Sequence, residues 1–504
     1  MPSNLTFSPA IDATGTAGRY VLVRPAAMQR LPSDAFPCRG LSLGRVALYA
    51  CATVVFMFVN KGGAIGNTAF FIVVAGMMLG SPLIALMGFS CAVLALTLNT
   101  AFVAKTIAFT FSRVFSVAIF SARFAVGGTL SFLYSPPYLA MTTFCMVAAF
   151  CSIVSGYFTH IALIKVLIYW AGMTGFFAFM ATIRERRIDT TEWFVSQTAA
   201  VVILSVLSLV LGVAQNFRAT TAALGLYNLA FYHSQTAGPI FALLIVYLTC
   251  VLLFSGHRNR WICVPLIAFL AYGMFLTRSR TGAGTLAAGL TVVSTLAVLW
   301  SRGRRFAIRL NYPRKVIVAG VLAAALIATV YDMATQGALM SGIRSFLVKS
   351  RADVEEIVVA DIFSSRQGLI ERGWSNFLQS PIVGIGFGVS TDHYFRETAT
   401  ILYAPVEKGF LPTALLEEVG VLGTLAFVGF IITMLLSLVH ARNIPGVAMF
   451  VSLLVLNLGE AGIFALGGHA AFMWLFVLGG ILLGDRCTTA IRQDATHRVR
   501  VLTQ

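Results

Sequence analysis

Charged residues are scarce in this sequence. Lys, Arg, Asp and Glu make up 11% of its 504 residues, whereas hydrophobic residues make up 58%. A soluble domain usually carries about 25% charged residues, so a chain this apolar has too few polar side chains to cover itself in water. The low charge therefore excludes a soluble globular protein and indicates that lipid is the solvent.

Acidic residues are especially few. The chain has 19 Asp and Glu against 36 Lys and Arg, which gives a net charge of +17. The basic residues gather in short breaks between apolar runs, at 184–187, 257–260, 302–315 and 486–500. Short cytoplasmic loops of membrane proteins hold such an excess of Lys and Arg. The positive charge therefore indicates membrane topology, and no nucleic-acid partner is predicted.

The sequence also lacks two features of secreted proteins. Its eight cysteines all lie outside the polar segment 332–411, so neither a disulfide framework nor a thiolate metal site is predicted. Residues 1–43 contain no continuous apolar core followed by small residues, so no cleaved signal peptide is predicted. These residues form a basic tail that we expect to stay in the cytoplasm.

Apolar runs are what the sequence has in abundance. Runs of about 15 to 22 residues recur between Gly44 and Gly484, and about 20 apolar residues span the hydrocarbon core of a bilayer. The runs show no strand-like alternation, and a helix satisfies its own backbone in lipid. We therefore predict an all-α, polytopic transmembrane helical bundle of about 12 to 14 spans, with both termini cytoplasmic.

The predicted spans divide the chain into consecutive parts. In order, these are a cytoplasmic basic tail (1–43), transmembrane helices (44–331), a large outer loop (332–411), C-terminal transmembrane helices (412–484) and a cytoplasmic tail (485–504). Within the second part, the run 106–133 contains Arg113 and Arg123. Because arginine is costly in lipid, this run is predicted to be interfacial or broken.

The outer loop is long but not uniformly polar. It holds nine of the 19 acidic residues, and it also contains aromatic residues such as Trp374, Phe377 and Phe387. A long segment inside a compact protein is usually functional or disordered, and this apolar content argues against disorder. We expect short helices that lie over the outer face of the bundle.

Two arginines depart from the pattern that places basic residues on the cytoplasmic side of the membrane. Arg278 and Arg280 flank Ser279 in a tight turn between two spans, on the predicted outer side. A guanidinium binds phosphate in a bidentate way, which favours a site for an anionic headgroup such as pyrophosphate. The alternative is an arginine that snorkels to the interface or pairs with a loop carboxylate. Arg218 alone is an ordinary interfacial arginine, but the helices that flank it directly precede this hairpin.

Polar residues also enter the apolar run after the outer loop. Glu417 and Glu418 lie near its outer end, where a carboxylate beside apolar walls serves as a general base or pairs with a structural arginine. Glu460 and Asn457 present the same choice on a later run. The glycine-rich stretch 380–388 lacks the strand and helix of a nucleotide-binding loop, so a tight structural turn is predicted there.

Three stretches carry a family resemblance by their order along the chain. They are Phe217-Arg218, then Phe275-Leu276-Thr277-Arg278-Ser279-Arg280-Thr281-Gly282, then Arg372-Gly373-Trp374 through Pro381-Ile382-Val383-Gly384-Ile385-Gly386-Phe387-Gly388 to Leu416-Glu417-Glu418-Val419-Gly420-Val421-Leu422-Gly423. Over roughly residues 200–440, the sequence resembles the bacterial O-antigen ligase and Wzy-type polysaccharide polymerase superfamily.

The resemblance implies a glycosyltransferase of the bacterial inner membrane that uses neither a metal nor a cofactor. Its donor would be an undecaprenyl-pyrophosphate-linked oligosaccharide at the periplasmic face, which makes the outer loop periplasmic. By motif match, Arg218 and Arg280 would engage the pyrophosphate, with Arg278 as a neighbour. Preorganised cations stabilise the negative charge that builds as the lipid pyrophosphate departs.

One departure from the family's pattern bears on the activity. Ligases carry a His-Asn pair shortly before the Glu-x-Gly-x-x-Gly helix, whereas this sequence has Glu407-Lys408-Gly409-Phe410 there. The difference favours a polymerase that joins repeat units of a capsule or exopolysaccharide. Glu407 is then the candidate base, with His393 and Asp392 as substitutes. Lys408 and Glu418 are candidate substrate contacts.

The implied partners are the lipid-linked oligosaccharide, the growing polysaccharide chain and membrane lipid, with a chain-length regulator and a flippase as candidate protein partners. Two other functions stay open. One is a ligase of the same superfamily that moves finished glycan to lipid or protein. The other is a flippase or transporter of lipid-linked sugars. Transporters tend to carry charges at the membrane midplane, whereas these charges gather at the outer boundary, which favours outer-face chemistry.

Overall fold

The computed structural model describes residues 41–99, 101–103, 107–156, 158–214, 227–231, 234–255, 257, 259–302, 367–389, 409–459, 462–466 and 469–502. Within these ranges every regular element is a helix. Leu98 and Phe231 form an isolated antiparallel β-bridge, which is not part of a sheet. The all-α prediction is confirmed for this part of the chain.

The described ranges contain 14 α-helices and two short 3₁₀ helices. The α-helices are α1 (Leu43–Val59), α2 (Gly63–Met78), α3 (Pro82–Thr97), α4 (Ile107–Gly127), α5 (Pro136–Ser155), α6 (Thr159–Arg186), α7 (Thr191–Val210), α8 (Ser234–Phe254), α9 (Cys263–Thr277), α10 (Arg280–Arg302), α11 (Gln367–Gln379), α12 (Leu411–His440), α13 (Ile444–Asn457) and α14 (His469–Leu502). The 3₁₀ helices are Leu130–Tyr134 and Arg260–Ile262.

Eight of the described helices are long and apolar enough to cross a membrane. They are α5 to α8, α9 with the 3₁₀ turn before it, α10, α12 and the first part of α14. Helices α1, α2, α3, α13 and most of α4 are shorter but also apolar. This is the composition of a multi-pass membrane protein. Residues 303–331 of the predicted transmembrane part lie outside the described residues.

The predicted run 106–133 is divided between two elements. Helix α4 ends at Gly127, and the 3₁₀ helix Leu130–Tyr134 follows it. Arg123 does not interrupt α4, because its Nη2 donates to the carbonyl of Gly80 (3.3 Å) and its guanidinium lies over the ring of Phe124 (5.7 Å). The run is therefore broken, but at the glycine and not at the arginine.

Contacts between the described helix connections place them in two groups, which we call the two ends of the bundle. One end, which we name the Asp189 end, contains the α6–α7, α8–α9 and α12–α13 connections. Asn259 Nδ2 donates to Leu41 O there (2.7 Å), which brings the start of α1 to the same place. The other, the Arg280 end, contains the α5–α6, α9–α10 and α13–α14 connections and the start of α12, which contact one another directly or through residues 381–389.

Ion pairs join the helices at the Asp189 end. Arg45 Nε lies 3.0 Å from Glu192 Oε1, and Arg184 Nε lies 2.6 Å from Asp485 Oδ2. Asn443 Nδ2 also donates to Asp485 Oδ1 (3.0 Å). These contacts link α1 to α7, and link α14 to both α6 and the α12–α13 connection.

Asp189 is the partner of two basic side chains at this end. One carboxylate oxygen pairs with Arg486 of α14, and the other lies 3.8 Å from His257 Nε2. The backbone N–H of Thr191 also donates to Asp189 (2.9 Å). Burial raises the pKa of this carboxyl, but the hydrogen bond and charge of Arg486, the Thr191 amide and His257 outweigh burial. The pKa of Asp189 is therefore lower than its ordinary value of 3.8.

We expect Asp189→Asn to lower the thermal unfolding midpoint at pH 7 by a few degrees, because the charge-assisted contact to Arg486 contributes about 1.5–3 kcal/mol. The pKa is depressed in the folded chain, so this stabilisation is complete above about pH 5, begins to decrease near 3.8 and is lost as the pH falls through the lower pKa of the folded chain. Unfolding of detergent-solubilised protein at several pH values measures this.

The exposed carboxylate Glu371 provides the control for that measurement. Glu371→Gln should leave the midpoint unchanged. A constant difference between wild type and Asp189→Asn from pH 7 down to pH 3 would contradict the assigned role of the Asp189 charge.

Candidate active site

The arginine turn (residues 277–282) joins α9 to α10 at the Arg280 end. Arg278 adopts a left-handed conformation (φ 47°) that ends α9. Ser279 is buried, and its Oγ accepts a hydrogen bond from Gly282 N (3.1 Å), as an N-cap residue does. Arg280 is the first residue of α10, where the positive end of the helix dipole adds to its charge. The turn thus presents two guanidinium-bearing residues at a helix N-terminus.

Glycines let neighbouring helices touch the arginine turn. A Cβ atom on Gly238 of α8 would lie closer than 3.0 Å to Ser279, and one on Gly282 would lie 2.8 Å from the backbone of Gly238. Gly459, which follows α13, would meet Thr281 in the same way. Gly282 thus lets the backbones of α10 and α8 touch, while Gly238 and Gly459 leave room for the side chains of Ser279 and Thr281, so the turn packs closely against α8 and the residue after α13.

Residues 380–389, the glycine loop, follow α11 and dock on α12. Helix α12 is broken at Gly420, whose backbone angles (φ 62°, ψ −166°) are not helical. Such a break leaves amide and carbonyl groups without partners inside the helix, which is costly in apolar surroundings. The glycine loop satisfies them through four backbone hydrogen bonds: Ile385 N to Glu417 O (2.8 Å), Gly386 N to Glu418 O (2.9 Å), Val421 N to Pro381 O (2.9 Å) and Leu422 N to Ile382 O (3.2 Å). The predicted structural turn is confirmed.

Only glycine fits at two points of this docking. Gly384 has a φ of 69°, and a Cβ atom there would lie 2.5 Å from the carbonyl carbon of Glu418. A Cβ atom on Gly420 would lie closer than 3.0 Å to the carbonyl of Ile382. Both positions combine a positive φ with a direct backbone contact, two conditions that L side chains cannot meet together.

The acidic pair of α12 faces the loop and α11. Glu417 and Glu418 are both buried. Glu417 Oε1 accepts a hydrogen bond from Asn376 Nδ2 (2.8 Å), and Glu418 Oε2 accepts one from Gly388 N (2.8 Å). Asn376 lies on α11, so each carboxylate holds one part of the predicted outer loop against α12. These contacts give the pair a structural role.

Phe387 anchors the glycine loop in the bundle. Its ring centroid lies 6.1 Å from that of Phe144, 6.2 Å from Tyr169 and 5.1 Å from Phe464. Its N–H donates to Ser152 Oγ (3.1 Å). The loop therefore contacts α5, α6 and the α13–α14 connection in addition to α12.

The α13–α14 connection contacts both the arginine turn and the glycine loop. Gly459 lies against Thr281, and the ring of Phe464 packs on that of Phe387. Asn457 Oδ1 accepts hydrogen bonds from Gly462 N (2.9 Å) and Ile463 N (2.7 Å), and Trp474 Nε1 donates to Ile463 O (3.1 Å). His469 lies against Gly462, where a Cβ atom would be 2.6 Å from its Nε2. Asn457 is therefore a capping residue that holds this connection in place.

Lys165 is a contact of the glycine loop that the sequence-based hypothesis did not include. It lies on α6, and its Nζ donates to the carbonyl of Gly388. The sequence does contain a sign that could have pointed to it: Lys165 is the one charged residue between His160 and Arg184 in an otherwise apolar run. Ionisable residues inside such runs usually have a specific partner.

The structure brings the described candidates to the Arg280 end; they are Arg278, Arg280, Glu417, Glu418 and Asn457. The remaining predicted residues lie outside the described part of the chain; they are Arg218, Asp392, His393, Glu407, Lys408 and Glu460. Among the residues that are described, no group of three or more His, Cys, Asp or Glu is placed to hold a metal ion.

No protein-family model matches the chain, and no curated protein matches it. A functional assignment therefore rests on the geometry of the site and the chemistry of its residues.

We expect Gly420→Ala to detach the glycine loop from α12. The backbone at residue 420 is nearly exclusive to glycine, so strain alone costs about 1–3 kcal/mol, and the collision with Ile382 adds to it. Hydrogen–deuterium exchange of residues 381–388 should become much faster, and the thermal midpoint should fall.

Gly429→Ala, in the same helix, is the matched control because a Cβ atom there meets nothing within 4 Å. Alanine should leave exchange of residues 381–388 at the wild-type rate and stabilise α12 slightly. Equal exchange in the two variants would argue against the described docking.

Proposed function

We propose that this protein is an inner-membrane glycosyltransferase that polymerises undecaprenyl-pyrophosphate-linked oligosaccharide repeat units into a capsule or exopolysaccharide at the periplasmic face. One observation carries the proposal. The arginine turn and the glycine loop, which lie about 100 positions apart in the sequence, meet the same α13–α14 connection at the Arg280 end. Both motifs contribute to the family resemblance.

The proposed reaction transfers a glycan from one lipid to another. A hydroxyl of the acceptor repeat unit attacks the anomeric carbon of the donor glycan, and a new glycosidic C–O bond forms. The bond between that carbon and the pyrophosphate oxygen breaks, and undecaprenyl pyrophosphate leaves with the bonding electrons. A base takes the hydroxyl proton.

The arginine turn suits the leaving group of this reaction. Negative charge builds on the pyrophosphate as the bond breaks, and a guanidinium pairs with phosphate oxygens in a bidentate way. Arg280 also stands at the N-terminus of α10, where the helix dipole favours an anion. Close packing of Ser279 and Gly282 against Gly238 holds the turn in place before substrate arrives, so little reorganisation accompanies the reaction.

The remaining roles come from the sequence. We assign the base to Glu407, with Asp392 and His393 as substitutes, and the second pyrophosphate contact to Arg218. Arg278, Lys408 and Glu418 are assigned as further substrate contacts. Glu418 also accepts the N–H of Gly388, so it holds the glycine loop on α12.

The proposal is tested by incubating the purified protein with a lipid-linked repeat unit from its own host and separating the products by chain length. A ladder of longer lipid-linked glycans is the expected result. An intact substrate would contradict polymerisation. In that case, transfer of the glycan to an added lipid or protein acceptor would identify a ligase. Movement of the lipid-linked substrate across the bilayer of liposomes would identify a flippase.

We expect Arg280→Ala to reduce the polymerisation rate about 100- to 1,000-fold, the usual effect of removing one preorganised stabiliser of transition-state charge. Arg280→Lys should recover little of it, because a point charge does not replace the bidentate guanidinium. Gel analysis of glycan chain length over time measures both.

Lys61→Ala is the control, because Lys61 is an exposed cation in the α1–α2 turn at the same end of the bundle. It should leave the rate unchanged, and all variants should keep the wild-type thermal midpoint. A wild-type rate in Arg280→Ala would remove the pyrophosphate role.

A further inference from the structure

Gly388 is held from both sides by charged residues of different helices. Its N–H donates to Glu418 Oε2 of α12 (2.8 Å), and its carbonyl accepts from Lys165 Nζ of α6. Gly388 has a φ of 67°, and a Cβ atom there would lie 2.7 Å from Lys165 Cδ. A glycine at this position therefore lets the lysine stem lie directly against the loop backbone.

Both charges are expensive where they lie. Glu418 is buried, Lys165 is half-buried, and each comes from an apolar helix that is long enough to span a membrane. Hydrogen bonds from charged groups to backbone are stronger than neutral ones, and they gain further in a low dielectric. A single loop residue thus connects a cation and an anion whose burial would otherwise be unfavourable.

The lysine contact differs in kind from the other contacts of the loop. The four backbone hydrogen bonds described above attach the loop to α12 alone. Lys165 and Ser152 attach it to α6 and α5, through Gly388 and Phe387. Lys165 is the charged contact of the loop with α6; it stands beside apolar contacts, in which Ile385 and Val389 pack with Ile161 and Ala162 and the ring of Phe387 lies near Tyr169.

We propose that Lys165 is a positioning residue of the site: by holding the Gly388 carbonyl, it keeps the Gly388 N–H on Glu418 and fixes the glycine loop against α6 and α12 together. The role in catalysis rests on the proposed function. In that reaction the fixed loop presents one conformation to the lipid-linked sugar. The contribution of Lys165 is to loop geometry, and it touches no reacting atom.

Lys165→Met keeps the apolar stem and removes the donor. We expect the amides of residues 385–388 to exchange about tenfold faster, as the loss of one charge-assisted hydrogen bond predicts. Glu418→Met should produce a similar change. The double variant should exchange no faster than the faster single variant, because both side chains act through Gly388.

Lys165→Arg and Lys61→Met are the companion variants. Arginine retains a charged donor for the single carbonyl acceptor, so it should restore most of the slow exchange and most of the polymerisation rate. Lys61→Met removes an exposed lysine elsewhere and should change neither. If Glu418→Met does not fold, Glu418→Gln replaces it, with a smaller increase in exchange expected since the amide oxygen still accepts.

Exchange and activity separate the two proposals. Wild-type exchange in Lys165→Met would overturn the positioning role, even if the wild-type protein makes the glycan ladder. Faster exchange in Lys165→Met that arginine reverses supports the loop contact, even if no ladder forms and the polymerase assignment fails. Faster exchange with an unchanged polymerisation rate would overturn the role of Lys165 in the reaction.

Discussion

The break in α12 at Gly420 leaves backbone amides and carbonyls in an apolar bundle, and the glycine loop has to satisfy them. In water such groups would find solvent, but among apolar helices each one without a partner is costly. Four backbone hydrogen bonds remove that cost and fix the loop on α12. The position of α11 follows, because Asn376 donates to Glu417 on the same stretch of α12.

The arginine turn is built by the same means. Gly238 and Gly282 let the backbones of α8 and α10 touch, and Gly459 admits Thr281. Glycines allow a close backbone approach at both motifs, and at the glycine loop the ring of Phe387 adds side-chain packing. The α13–α14 connection, capped by Asn457, touches both. The Arg280 end is therefore a preorganised frame that carries a few charged residues.

The two ends of the bundle use charge differently. At the Asp189 end, Asp189, Glu192 and Asp485 pair with arginines and tie the helices to one another. At the Arg280 end, Glu418 and Lys165 bind backbone groups of one loop residue. Side-chain pairs stabilise the bundle at one end, and charges position a loop at the other.

Composition and the apolar runs alone predicted the helices, because lipid leaves a backbone no partner except its own. The predicted spans cross the membrane in alternating directions. On that basis the arginine turn, the glycine stretch and the acidic pair were predicted to lie on the same side of the membrane. Tertiary structure decided three features: the end of α4 at Gly127, the break at Gly420 and the contact of Lys165 with the glycine loop. Lys165 and Gly388 are 223 positions apart, and neither residue type specifies its partner. Local pattern determines where a helix forms, whereas only packing determines which distant backbone group a buried charge meets.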